Sequence, residues 1–286
     1  MPETARRTRL ALEQIRTIWH DEAQVEDAWA EHYDKIYEEW QPCYRLYKEK
    51  VASIVHACWQ ERPGRVLEVG CGTGAVLSQL ATLIPAGQLA GVDISHRMIE
   101  IAARKLPEAS FAAKQVEEYK SPEPFEVVYF CGSLHHMPDQ RLVADSIHAL
   151  TAPGARVVVC EPNQDWLYQN VWLNRLRRIV SPSWIWLRLS NAGEIAKIQR
   201  TMRPLDEPAF HEHIDAAAVV DTFGRQFDLR SSSSDFHLTR LFEGVLTGGS
   251  GWAQRIGALR EADARLARQH PLRGGAIEMV FERRSS

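Results

Sequence analysis

The chain has 286 residues, enough for one large α/β domain with additions or for two small ones. An apolar fraction of 45% supports a sizeable core, and a net charge of −3 with a pI near 6.4 supplies no field to gather nucleic acid. No run of eighteen apolar residues suggests a membrane span, the charged start at 1–7 has no apolar signal core, and the five cysteines are odd in number with no Cys-x-x-Cys pair, so the chain reads as cytoplasmic with reduced thiols.

Residues 3–60 read as helices. Leu10, Leu12, Ile15 and Ile18 recur at helical spacing in 5–19, and Leu46, Val51, Ile54, Val55 and Cys58 do so in 44–59. Between them lies an aromatic stretch, Trp29 to Tyr37. Strands and helices then alternate: strand 65–70, helix 75–84, strand 88–93, helix 96–106, strands 109–113 and 125–131, helix 139–150, strand 154–161. Such alternation predicts a doubly wound, mostly parallel sheet with its ligand at the carboxyl ends of the strands. Residues 163–210 break the pattern. They are basic and aromatic, with Trp166, Trp172, Trp184 and Trp186 among Arg175, Arg177, Arg178 and Arg188. This segment reads as a helical insertion, either a lid or a plain hairpin packed on the sheet. Helix 212–223 and strands 226–233 and 275–282 follow, with a second insertion at 235–273, rich in Leu, Ala and Arg, as a second cap or a homodimer surface. The expected division is an N-terminal helical cap at 1–60, a core at 61–162, the lid at 163–210, and the rest of the core at 211–286.

Chemistry concentrates at Val66-Leu67-Glu68-Val69-Gly70-Cys71-Gly72-Thr73-Gly74. An apolar strand runs into a glycine-rich turn and then a helix, and Gly70, Gly72 and Gly74 let the backbone turn and approach a ligand closely. The next strand ends in Asp93, nineteen positions after Gly74, where a carboxylate accepts hydrogen bonds from ribose hydroxyls. The spacing differs from the nicotinamide fingerprint, since position 75 is Ala and the third glycine comes one residue early, and the Lys-Ser/Thr of a phosphate-binding loop is missing. The expected ligand is an adenosine compound that is neither a dinucleotide nor a triphosphate.

These residues resemble a family. Val66–Gly74 is similar to motif I of class I S-adenosylmethionine-dependent methyltransferases, and Gly91-Val92-Asp93-Ile94-Ser95 to their second motif. Phe125–Cys131 resembles their fourth strand, and Ser133-Leu134-His135-His136-Met137-Pro138-Asp139 the turn after it in natural-product, sugar-type O-methyltransferases. Leu150–Val159 resembles the family's Pro-Gly turn and fifth strand. The resemblance covers roughly residues 30 to 235. It implies a seven-stranded Rossmann-like sheet and S-adenosyl-L-methionine as cofactor, held by Tyr33, Glu68, Gly70, Cys71, Gly72, Gly74, Asp93, Ile94, Met98, Gln115, Val116, Cys131 and Ser133. The family often has an acid where Gln115 stands; a Gln carbonyl can still accept from the adenine amine.

Methyl transfer requires a nucleophile held in line with the methyl, and an alcohol or phenol acceptor must also lose a proton. His135 and His136 lie just after the fourth strand, on the ligand rim, and Glu161 ends the fifth strand on the same rim. A base with a carboxylate to orient it is the expected arrangement. His211 and His213 alternate like metal ligands, but no third ligand follows at a fitting distance, so no metal is expected. The reading is a methyltransferase for a small-molecule acceptor, by O-methylation in secondary metabolism, with no nucleic-acid or membrane partner. The alternative is a relative that keeps the donor and performs a non-methylating reaction such as a cyclisation.

Overall fold

The computed structural model describes residues 12–34, 42–163, 214, 216–235, 252–269 and 275–285. In chain order the described elements are α1 (Leu12–Asp34), α2 (Pro42–Glu61), β1 (Val66–Val69), α3 (Ala75–Leu80), β2 (Leu89–Asp93), α4 (His96–Lys105), β3 (Ser110–Ala113), β4 (Phe125–Cys131), α5 (Gln140–Leu150), β5 (Thr151–Pro162), α6 (Ala216–Phe223), β6 (Phe227–Asp235), α7 (Trp252–Gln269) and β7 (Ala276–Arg283). The sheet order is β3-β2-β1-β4-β5-β7-β6. Strands β1 to β5 pair in parallel, while β7 runs antiparallel to both β5 and β6. This is the α/β, mostly parallel seven-stranded sheet expected from the sequence.

The strands form because they are buried on both faces. All four residues of β1 are buried, and β4 and β5 read as near-continuous Val, Tyr, Phe and Cys. Side chains alternate between two cores. Val157, Val159, Ile277 and Phe281 pack with α5 and α6, whereas Val158, Cys160 and Ala276 pack with α2 and α3. Helix caps match local chemistry: the Ser95 hydroxyl accepts from Met98 N to start α4, and the Asp139 carboxylate accepts from Arg141 N and Leu142 N to start α5.

Three boundaries differ from the sequence reading. Helix α1 continues through the aromatic stretch to Asp34 and does not stop near Trp19. Helix α3 ends at Leu80, because Thr82 and Leu83 donate to the Gln79 and Leu80 carbonyls three residues back and so tighten the last turn. Strand β5 begins at Thr151, since Phe125 pairs with Thr151 ahead of a register shift. The proposed lid at 163–210 lies outside the described residues apart from Asn163, and of the insertion at 235–273 only Asp235 and α7 are described.

Helix α7 is tied to the sheet by charge. Asp235, at the end of β6, accepts two hydrogen bonds from the Arg260 guanidinium, both at 2.8 Å, and is ion-paired with Lys50 of α2. Lys50 also reaches Glu278 of β7 at 2.6 Å. Asp235 is 5% exposed, whereas the Lys50 and Arg260 side chains are 31% and 25% exposed, so buried carboxylates are met by cations that enter from the edge.

Candidate active site

Strand order reverses between β1 and β4, and the loops after these strands open the crevice where ligands of such sheets bind. The glycine turn after β1 has φ of 72°, 50° and 73° at Gly70, Gly72 and Gly74. All three were expected to face the ligand, but two face protein. A Cβ on Gly70 would stand 2.4 Å from Ser133 Cβ, and one on Gly74 would stand 3.1 Å from Ala102 Cβ. Of the three, Gly72 has the most room: among the described residues, the nearest neighbour of a Cβ there would be the Tyr33 ring at 3.9 Å. Gly70 and Gly74 therefore serve close packing of the turn on β4 and α4, and Gly72 leaves the room.

Asp93 was expected to meet ribose hydroxyls. Here its Oδ2 accepts from Gly72 N at 2.8 Å and its Oδ1 from Ser95 N at 2.9 Å. The carboxylate thus laces the glycine turn to the start of α4, while its remaining lone pairs stay available to hydroxyls. Burial pushes its pKa up, against these backbone hydrogen bonds and the nearby His136. Ile94 is half-buried against the core, Gln115 lies after β3, and Val116 is buried behind it. Met98, expected at the donor, is fully buried in the first turn of α4.

Helix α1 lies across this rim. The Ser95 hydroxyl donates to Asp27 at 2.5 Å, Arg97 pairs with Glu31 at 2.6 Å, the Thr73 hydroxyl donates to Asp34 at 2.5 Å, and Lys105 pairs with Asp34 at 2.6 Å. Asp27, Glu31 and Asp34 share one helical face by their spacing. That face is fastened to the glycine turn and to α4, which carries Tyr33 over Gly72.

Glu68 faces inward at 3% exposure. It accepts from the Tyr129 hydroxyl at 2.9 Å. Burial raises its pKa to about 8, although the Tyr129 bond and the charge of Lys48 pull the other way.

The turn after β4 holds the densest polar group. Glu161 is fully buried at the end of β5. Its Oε1 accepts from Ser133 N at 2.9 Å and Leu134 N at 2.8 Å, and its Oε2 lies 2.7 Å from His135 Nδ1. The Ser133 hydroxyl donates to the Val69 carbonyl at 2.6 Å, joining this turn to the glycine turn. The His136 ring lies beside His135, centroids 4.2 Å apart, but on the Asp93 side. Cys131 is buried next to Glu68, Lys48 and Glu161, and burial pushes its thiol pKa well up. His211 and His213 lie outside the described residues, and among the described residues no group of His, Cys, Asp and Glu could hold a metal ion.

The sequence reading missed Tyr44 and Lys48 of α2, which line the same crevice, and Gly91 of β2, where a Cβ would meet Cys71 Sγ at 2.7 Å. For Lys48 the available signal was a lysine one turn before Val51 and Ala52, on the buried face of the helix.

Comparison with known proteins agrees with this geometry. Residues 41–201, more than half of the chain, match the family model described as methyltransferase domain. The chain belongs to this methyltransferase family, whose methyl donor is S-adenosylmethionine. It is 27% identical over 175 residues to a trans-aconitate 2-methyltransferase of Methylobacterium radiotolerans, covering 61% of this chain and 65% of the relative. It is 25% identical over 126 residues to a malonyl-[acyl-carrier protein] O-methyltransferase of Ilyobacter polytropus, covering 43% of this chain and 46% of that one. The matches thus span less than two thirds of either relative. Among solved structures, the plantazolicin methyltransferase BpumL superposes with a TM-score of 0.52 at 14% identity, covering 96% of this chain and all of that one, which shows a shared fold. The residues present fit the donor: among the described residues there is room beside Gly72, a carboxylate at the end of β2 stands at its edge, and an aromatic ring roofs it.

Proposed function

We propose that the protein transfers the methyl group of S-adenosylmethionine to an oxygen of a small-molecule acceptor in secondary metabolism, with His135 as the base. The bound donor supplies an electrophilic methyl on a sulfonium. Gly72 leaves room for it, Asp93 holds the turn and receives the ribose hydroxyls, and Tyr33 covers it from water. The observation that carries the reading is the His135–Glu161 pair, 2.7 Å apart. A carboxylate fixed by two backbone N–H groups holds Nδ1–H of the imidazole, so that Nε2 is the nitrogen that would take the acceptor's proton. Glu161 also stabilises the imidazolium that results. His136, on the Asp93 side, borders the donor and takes no proton.

The relatives' names favour a second reading. Trans-aconitate and malonyl groups carry carboxylates, and a carboxylate oxygen is a nucleophile that needs no base. His135→Ala separates the two. A base contributes about 10²–10⁴-fold in rate, so turnover should fall by that factor with donor affinity unchanged, whereas His136→Ala should keep most of it. Near-normal turnover in His135→Ala would favour a carboxylate acceptor. Product mass tests the reaction itself: a gain of one methylene unit supports transfer, and an unchanged mass supports a cyclisation.

A further inference from the structure

Strands β4 and β5 pair in parallel, and their register sets Cys131 opposite Cys160. Both side chains stand on the face of the sheet that packs with α2 and α3, as Tyr129 and Val158 do two residues before them. Neighbouring strands lie about 4.8 Å apart, a separation across which two cysteines can be bridged. The pair closes the carboxyl ends of these strands. The residues that follow are Gly132, at a φ of 66°, and Glu161, which holds His135. Cys131 keeps 9% of its surface exposed and Cys160 keeps none. A reagent that reaches Cys131 therefore meets a second thiol beside the first.

We propose that Cys131 and Cys160 form a dithiol site for trivalent arsenicals, and that an adduct there shuts the crevice. Sulfur ligands prefer soft partners, and trivalent arsenic is one. The two ways of bridging this pair ask different things of the thiols. A disulfide needs a thiolate attacker and an oxidant. Burial pushes both thiols well above their ordinary pKa, so the thiolate is scarce. Condensation with an arsenous reagent R–As=O asks for neither. The arsenic–oxygen bond breaks, two As–S bonds form, and the oxygen leaves as water with the two thiol protons. Arsenic stays trivalent and sulfur is not oxidised. The product carries no charge, so apolar surroundings that oppose a thiolate do not oppose it. One atom between the sulfurs also relaxes the strict geometry of an S–S bond. The first As–S bond forms at Cys131 and the second at Cys160. The group R stays on the arsenic and takes up space beside Gly132 and Glu161.

Phenylarsine oxide tests this on the whole chain. Intact-protein mass should show one phenylarsenic unit gained and two hydrogens lost. The adduct should withstand excess mercaptoethanol, a monothiol, and be reversed by dimercaptopropanol. A variant with Cys43, Cys58 and Cys71 all replaced by alanine should keep it. Cys131→Ala and Cys160→Ala should each lose it to mercaptoethanol. If either variant does not fold, as judged by circular dichroism, proteolysis of the wild-type adduct must yield the peptides of Cys131 and Cys160 joined through arsenic. An adduct that withstands mercaptoethanol in Cys131→Ala or Cys160→Ala, that joins other cysteines, or that never forms overturns the proposal. Calorimetry reads the shutting of the crevice separately: the adduct should bind S-adenosylhomocysteine at least about tenfold more weakly than the free protein. Unchanged affinity overturns that part. A free protein that binds no S-adenosylhomocysteine would instead overturn the donor assignment, and the mass measurement would still decide the arsenical site.

Discussion

Glu68 is held by Tyr129 in a place where its charge is costly, and this makes stability depend on pH. Its ordinary pKa of 4.5 applies to the unfolded chain, while burial raises it to about 8 in the fold. Between these values the native protein holds a proton that the unfolded chain has lost. The stability from this site is complete below about 4.5 and is lost as pH rises through about 8. The slope reaches at most about 1.4 kcal/mol per pH unit. Glu68→Gln keeps an acceptor for Tyr129 and cannot ionise, so urea unfolding from pH 5 to pH 8 should show a flatter profile than wild type. An equally steep profile in the variant would refute the assignment. Gly70 and Gly72 make a second contrast at this scale. Gly70→Ala meets Ser133 at a φ of 72° and should cost about 2–4 kcal/mol of stability. Gly72→Ala meets no atom of the described residues closer than 3.9 Å and should cost about 1–2 kcal/mol for its left-handed backbone, with its larger effect on donor affinity. Thermal melts paired with donor titrations separate the two.

Among elements, β6, β7, α2 and α7 meet at one buried set of charges. Burial alone would push the Asp235 pKa up, but the hydrogen bonds from Arg260 and Lys50 outweigh it and hold the carboxyl below 3.8. Its contribution is therefore present above that value and lost in more acid solution. Asp235→Ala removes the carboxylate that Lys50 and Arg260 share, leaving Lys50 with Glu278 alone, and should destabilise the fold by about 1–3 kcal/mol, measured by chemical denaturation at neutral pH. A loss below 1 kcal/mol would mean that solvent already reaches the network. The network also explains why a chain with a long excursion between β6 and β7 still pairs these strands along their length. The helix within that excursion is fastened to the strand it leaves.

At the scale of the molecule, the order of strands was legible because each is an apolar run bounded by turn residues, and the glycine turn with its timed acid marked where the ligand lies. The pairing of Glu161 with His135 was legible as a shared rim, because both end or follow neighbouring strands. Lys48 was not legible, since a periodicity that scores apolar residues passes over a lysine on the inner face of α2. The split between Gly70, which faces Ser133, and Gly72, which has more room, was equally hidden, because identical residues two positions apart differ only in what the fold brings near them. The same holds for Met98, whose place after Asp93 marks the right loop but whose side chain is buried in the first turn of α4. Helix α1 carries one consequence for traffic through the site. Much of what fastens it is ion pairs and short hydroxyl–carboxylate bonds, and the ion pairs are a third to a half exposed, so dissolved salt weakens them. Donor entry and product exit past Tyr33 should therefore quicken as ionic strength rises, even where equilibrium affinity changes little. Stopped-flow release of S-adenosylhomocysteine at low and high salt measures this, and a salt-independent rate would show that the helix does not gate the exchange.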